Sequence, residues 1–212
     1  RDNAILIFHA LSGSQNAAGY NPSVKGVEDL WTDECRVGWW NEFIGPGKAL
    51  DTERFFVVCA NYLGGCYGST GPRSIQPATG RPYGSRFPSV SLCDIVDSQM
   101  RLVDFLGIDR LHATIGGSLG GLLALTMATR YPERVRIVIP IACSHEVTIL
   151  QRIHNFEQVY AIEADPSIAL APFILDMLFK TLSYNTIKNM REMVKQEKYS
   201  TAAKVITTTP LK

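Results

Sequence analysis

Residues 111–131 read LHATIGGSLGGLLALTMATRY, and this stretch decides the fold. Ala113 to Gly117 are apolar or small, as in a buried strand, and lead into Ser118. Leu122, Leu123, Leu125 and Met127 then follow at helical spacing. Gly116-x-Ser118-x-Gly120 is the nucleophile-elbow pattern, in which a strand turns directly into a helix with a serine at the hinge. Such a hinge forces its residue into a strained backbone conformation, often with positive φ. Side chains two residues before and after would collide, and glycine avoids the collision. The hydroxyl then stands clear of the sheet, with the first helix amides aimed at whatever lies in front of it. The competing reading makes Ser118 an ordinary N-cap in a glycine-rich packing contact. A dinucleotide fingerprint is excluded, because Ser118 stands where G-x-G-x-x-G needs its second glycine.

Outward from this stretch, residues 4–9 (AILIFH), 55–60 and 135–142 are apolar runs that read as buried parallel strands. Residues 91–106 are helical, with Ile95, Val96, Gln99, Met100, Val103 and Leu106 on one largely apolar face. A short helix is expected around 39–43. Residues 61–90 form a Gly/Pro/Ser loop whose length marks it as functional. The alternation of strands with helical or long crossovers gives an α/β class: a mainly parallel sheet with helices on both faces, over residues 1–143. From Ser144 the pattern changes. Helices are expected over 147–164, 168–182 and 185–198, with no convincing strand before 204. Residues 144–212 therefore read as a helical lid, its apolar faces packed on the sheet or paired with another subunit.

Composition bounds the function. The 212 residues are 46% hydrophobic and 19% charged, with a formal net charge of +1. That suits one globular core and gives no electrostatic case for nucleic acid or an anionic membrane. Five cysteines (Cys35, Cys59, Cys66, Cys93, Cys143) show no C-x-x-C pair, so neither a disulfide framework nor a metal site is indicated. Reduced thiols fit a cytoplasmic protein. No apolar run reaches the roughly eighteen residues of a membrane span.

In an open parallel sheet, ligands bind at the carboxyl ends of the strands. His9 to Gly13, Asn61 to Gly71 and Ser118 all fall at such ends. A serine attacking an acyl carbonyl creates an oxyanion that needs preorganised N–H donors. One donor is expected to be the amide of Leu119 and the other that of Leu11, in the loop after the first strand. His9 reads as a brace for that loop rather than as a base. Cys66 reads as a small buried thiol, and Trp39 and Trp40 as core packing. A serine nucleophile also needs a histidine held by a carboxylate. Only His145 and His154 follow Ser118. His145 comes just after the fourth strand and is a candidate base against a capping or packing role, and His154 falls within the lid. The later strands that would carry the acid and histidine are missing. The expectation is an incomplete domain, inactive alone, whose acid and base lie beyond Lys212.

The stretches NAILIFHALSG (3–13), GWWNEFIGPGKALDT (38–52), NYLGGCYGSTGP (61–72), PYGSRFPSV (82–90) and GGSLGG (116–121) resemble the homoserine O-acyltransferases, enzymes of the α/β-hydrolase fold. The resemblance covers residues 3–142 almost continuously. It implies acetyl transfer, in some members succinyl, from coenzyme A to the hydroxyl of homoserine. The implied route is ping-pong through an acyl-serine at Ser118, with Leu11 and Leu119 as oxyanion donors. It further implies acetyl-CoA as co-substrate with no tightly bound cofactor, a place in methionine biosynthesis, and a homodimer formed through the lid. The 61–90 loop would line the pantetheine tunnel. Asn61, Tyr67 and Arg86, with Arg73 and Arg81, are candidates to shape the pocket or meet phosphate and carboxylate. The chain departs from the family in the lid. Val159 stands where the family has a carboxylate-binding arginine, and Arg152 is the candidate to replace it. The family's Asp and His stretches are absent. The alternatives are a serine ester hydrolase of the same fold, or a non-catalytic interaction module.

Overall fold

Strands of the main sheet carry apolar side chains on both faces, as a parallel sheet covered from both sides requires. The computed structural model describes residues 2–144, 149 and 204–205. In chain order its elements are β1 (Ala4–Phe8), α1 (Asp33–Arg36), β2 (Phe56–Cys59), β3 (Ile75–Gln76), β4 (Arg81–Pro82), α2 (Leu92–Phe105), β5 (Leu111–Gly117), α3 (Leu119–Arg130), β6 (Val135–Ile141) and β7 (Lys204–Val205), with 3-10 turns at Gly84–Arg86 and Pro132–Arg134. The sheet runs β2-β1-β5-β6-β7 and all its pairings are parallel. The register sets Phe8 of β1 beside Gly116 of β5, so the loop after β1 and Ser118 leave the sheet at one level.

Alternation along β1 divides the core. Ala4, Leu6 and Phe8 face α2 and α3, where they meet Ile95, Val96, Met100, Leu123 and Met127. Ile5 and Ile7, with Ala113 and Ile115, face the long connection between β1 and β2, which brings Ala17, Trp39, Trp40 and Ile44. Both tryptophans are core packing, as expected, and the Trp39 indole N–H donates to Ser14 O at 2.9 Å.

Helix α2 begins with a capping box. The Ser91 hydroxyl accepts from Asp94 N at 3.1 Å, and the Asp94 carboxylate accepts from Ser91 N at 2.8 Å, which satisfies two amides the helix start would otherwise leave bare. Across the helix pair, Arg130 of α3 holds Asp97 of α2 by two bonds of 2.5 and 2.7 Å, and the Tyr131 hydroxyl adds a third at 2.7 Å. The Arg130 bond, then that of Tyr131, holds the Asp97 carboxyl below its usual range.

Three expectations are corrected. Residues 39–43 form consecutive turns rather than a helix, and the short helix is α1, which buries no side chain and so has no apolar face to read. The 61–90 loop holds the small antiparallel β3–β4 hairpin. Cys66 is exposed, not buried. β7 joins the sheet beside β6 as a fifth strand; at two residues it is too short to show a period. The expected lid helices, with His145, Arg152, His154 and Val159, lie outside the described residues.

Removing the cap hydroxyl (Ser91→Ala) should lower unfolding free energy by about 1 kcal/mol, measured as a shifted denaturant midpoint at unchanged slope.

Candidate active site

Ser118 sits between β5 and α3 with φ 55° and ψ −118°. Its side chain makes no capping bond to the helix, so the ordinary N-cap reading fails. Its backbone is instead held from both sides. Ser118 N donates to Ile141 O at 2.9 Å, and Ser118 O accepts from Gly121 N and Leu122 N at 3.0 and 3.2 Å. The residue is exposed among the described residues. Its hydroxyl is therefore presented outward on a fixed, strained backbone.

Two glycines make the bend possible. A Cβ on Gly116 would lie 2.1 Å from Gly120 O, and one on Gly120 would lie 2.1 Å from Phe8 O and 2.8 Å from His9 O. The neighbours in both cases are backbone, which cannot swing aside. The second contact also shows that the start of α3 is pressed against the end of β1. Gly117 is different, with nothing within 4 Å of an added Cβ.

The loop after β1 is packed around His9, which is 2% exposed. His9 Nδ1 lies 2.7 Å from Ala10 O, and a carbonyl only accepts, so Nδ1 carries the proton. The ring stacks on Tyr62 with centroids 3.7 Å apart, and Tyr62 Oη donates to His9 O at 2.5 Å. Burial pulls the imidazole below its ordinary pKa, against smaller raising effects from Ala10 O and Asn61. The Asn61 side chain is near enough to act on the ring electrostatically. It completes no hydrogen bond with it, since its amide atoms and His9 Nε2 are buried without partners. The backbone of Asn61 is fixed by Gln99 Nε2 at 3.1 Å. His9 thus braces the loop through hydrogen bonds, as read from the sequence, and its burial favours the neutral ring. Tyr62 was missed, because a partner 53 residues away leaves no local signature.

The other named residues divide. The amides of Leu11 and Leu119 find no backbone acceptor among the described residues. Tyr67 packs edge-on against Trp31 at 5.6 Å and touches Cys35 Sγ at 3.8 Å, and burial above all pushes its phenol up to about 12. Arg73 is committed to Asp29 at 2.7 Å. Arg81 and Arg86 are exposed on the loop. A cavity of about 410 Å³ opens beside β2, lined by Ala18, Ile44, Thr52, Phe56 and Cys59 among others. It adjoins the face of the tryptophans rather than the serine. His112 lies near the start of β5, about 20 Å along the strand from Ser118 at roughly 3.3 Å per residue, and cannot serve it as a base.

A strained serine at a strand–helix bend, between two parallel strands, identifies the architecture, and the alpha/beta hydrolase fold family matches residues 3–161. The chain belongs to that family. Within it, the chain is 47% identical over 167 residues to a homoserine O-acetyltransferase of Deferribacter desulfuricans, covering 79% of this chain and 42% of that protein. It is 51% identical over 166 residues to a homoserine O-succinyltransferase of Stutzerimonas stutzeri, covering 78% and 41%. Among solved structures, a homoserine O-acetyltransferase from Bacillus anthracis superposes with a TM-score of 0.69 at 32% identity, covering 91% of this chain and 50% of that one. The L374D mutant of esterase E22 superposes at 0.68 with 30% identity, covering 92% and 51%. The chain spans about two fifths of the length of the curated relatives it matches.

Gly116→Ala and Gly120→Ala should each cost about 3 kcal/mol or more, since backbone must move. Gly117→Ala should stay within about 0.5 kcal/mol of the parent. Thermal melts of the three variants check the ordering.

Proposed function

We propose that the protein transfers an acetyl group from acetyl-CoA to the hydroxyl of homoserine through an acyl-enzyme on Ser118. The observation that carries this reading is the outward-facing, uncapped Ser118 hydroxyl at the start of α3. Ser118 Oγ attacks the thioester carbonyl and gives its proton to a base. The carbonyl oxygen becomes an oxyanion held by the amides of Leu11 and Leu119. Coenzyme A leaves as the thiol, and the Ser118 ester remains. Homoserine then binds, its hydroxyl attacks the ester, and the serine is restored. The base and its carboxylate partner belong to parts of the protein outside the described residues.

The substrate roles proposed for Asn61, Tyr67 and Arg86 rest on where they sit, and that of Arg152 on the resemblance alone. Asn61 sits beside the His9 loop with unpartnered amide atoms and is suited to shaping the acyl pocket. Tyr67 is held by Trp31 and Cys35, and supports the loop wall rather than reaching the substrate. Arg86, exposed on the 61–90 loop, is the candidate for a CoA phosphate, and Arg152 for the homoserine carboxylate. The wider reading is a cytoplasmic enzyme of methionine biosynthesis that dimerises through its lid. Likeness to acetyl- and succinyltransferases is similar in degree, so an adduct with succinyl-CoA but not acetyl-CoA would reassign the donor. The matched esterase supports a second reading, hydrolysis of the same acyl-serine by water.

The test is mass spectrometry of the protein at its natural length after brief mixing with acetyl-CoA or succinyl-CoA. An adduct of one acyl group on the Ser118 peptide, discharged by homoserine and absent in Ser118→Ala, is expected with acetyl-CoA. Discharge by water at the same rate with or without homoserine would favour the esterase. No adduct from either donor would overturn the acyl-serine.

A further inference from the structure

A peptide unit is planar, so its N–H and C=O point in opposite directions when it is trans. None of the described peptide bonds is cis. Whatever fixes the carbonyl of Ala10 therefore also fixes the direction of the Leu11 N–H. Two donors hold that oxygen: His9 Nδ1 at 2.7 Å and Gly13 N at 2.9 Å. A carbonyl has two lone pairs, and both are taken.

The donor ring is itself clamped. Tyr62 lies parallel to it within 15° and bonds His9 O through its hydroxyl, which fixes the preceding peptide as well. The space around position 13 is tight, so that a side chain there would press on the cluster by a few tenths of an ångström. A Cβ there would lie 3.0 Å from His9 Cβ, 3.2 Å from Ala10 O and 3.3 Å from His9 Nδ1. With only the Gly13 bond, the Ala10–Leu11 plane could rock or flip, and a flipped carbonyl would turn its oxygen toward the oxyanion it should not meet.

We propose that His9 is a positioning residue for acyl transfer, its Nδ1–H locking the Ala10 carbonyl so that the Leu11 amide faces the oxyanion. This deepens, and rests on, the acyl-Ser118 reading. His9 touches neither substrate nor the serine proton. It acts through the peptide it holds, and Tyr62 and Gly13 act through His9.

The test compares His9→Asn with His9→Leu in the protein at its natural length. The asparagine amide nitrogen stands the same number of bonds from Cα as Nδ1 and can replace its donor; leucine cannot. Both lose the stack on Tyr62, so both should melt lower by similar amounts. Single-turnover acylation by acetyl-CoA should fall about 10²- to 10³-fold in His9→Leu, the scale of a lost oxyanion donor. KM for acetyl-CoA should stay within about threefold, and His9→Asn should recover to within about tenfold of the parent. Gly13→Ala, which retains every side chain of the cluster, should lower the rate in the same way if His9→Leu fails to fold. Equal losses in the two His9 variants, a loss that appears in KM, or an unchanged rate in Gly13→Ala would overturn the proposal. A parent enzyme that forms no Ser118 adduct would instead remove the reading beneath it.

Discussion

The close approach of α3 to the end of β1 is the constraint on which the site depends. Gly120 lies so near the carbonyls of Phe8 and His9 that no side chain fits between them. That contact fixes how far α3 can withdraw from the sheet, and with it how sharply the chain must bend at Ser118. The strain of φ 55° is the local cost of this packing, offset by burial of Leu119, Leu123 and Met127 against the sheet. Hydrophobic packing on one side of the sheet thus holds a hydroxyl in an unfavourable backbone conformation on its rim.

The same contact brings two strand ends into one place. β1 delivers a loop tied by His9, Tyr62 and Gly13; β5 delivers the serine and the first turn of a helix. Each loop is held by hydrogen bonds to backbone or to a buried side chain, so on the proposed reading the oxyanion donors need not reorganise when charge develops. Preorganisation of this kind is usually the largest single contribution to such catalysis. It also accounts for buried polar groups in an otherwise apolar end of the core: His9, Gln99 and Tyr62 bind backbone oxygens whose positions matter.

Much of this was legible in the amino-acid order. The strands announce themselves as apolar runs because each is buried on two faces, and the elbow by glycines that steric contact demands. The helix after Ser91 was legible from its apolar face, whereas its capping box came from the structure. What could not be read was non-local or without periodicity. Helix α1 hides no apolar face, and the turns at 39–43 carry aromatic residues that mimic one. The exposure of Cys66 and the commitment of Tyr67 to Trp31 and Cys35 depend on how an irregular loop meets residues some thirty positions earlier. The Tyr62 clamp on His9 joins residues in the loops that follow two strands, and the parallel register of β1 and β2 brings those loops together.

The proposed chemistry turns on one geometry, an acyl oxygen on Ser118 that meets the amides of Leu11 and Leu119 together. The most direct measurement is a crystal structure of the protein with a phosphonate or boronate bound covalently to Ser118 Oγ. An adduct oxygen at about 2.7–3.1 Å from both Leu11 N and Leu119 N is expected. An adduct whose oxygens reach Leu119 N but stay beyond hydrogen-bond distance of Leu11 N, with the Ala10–Leu11 peptide turned away, would contradict it.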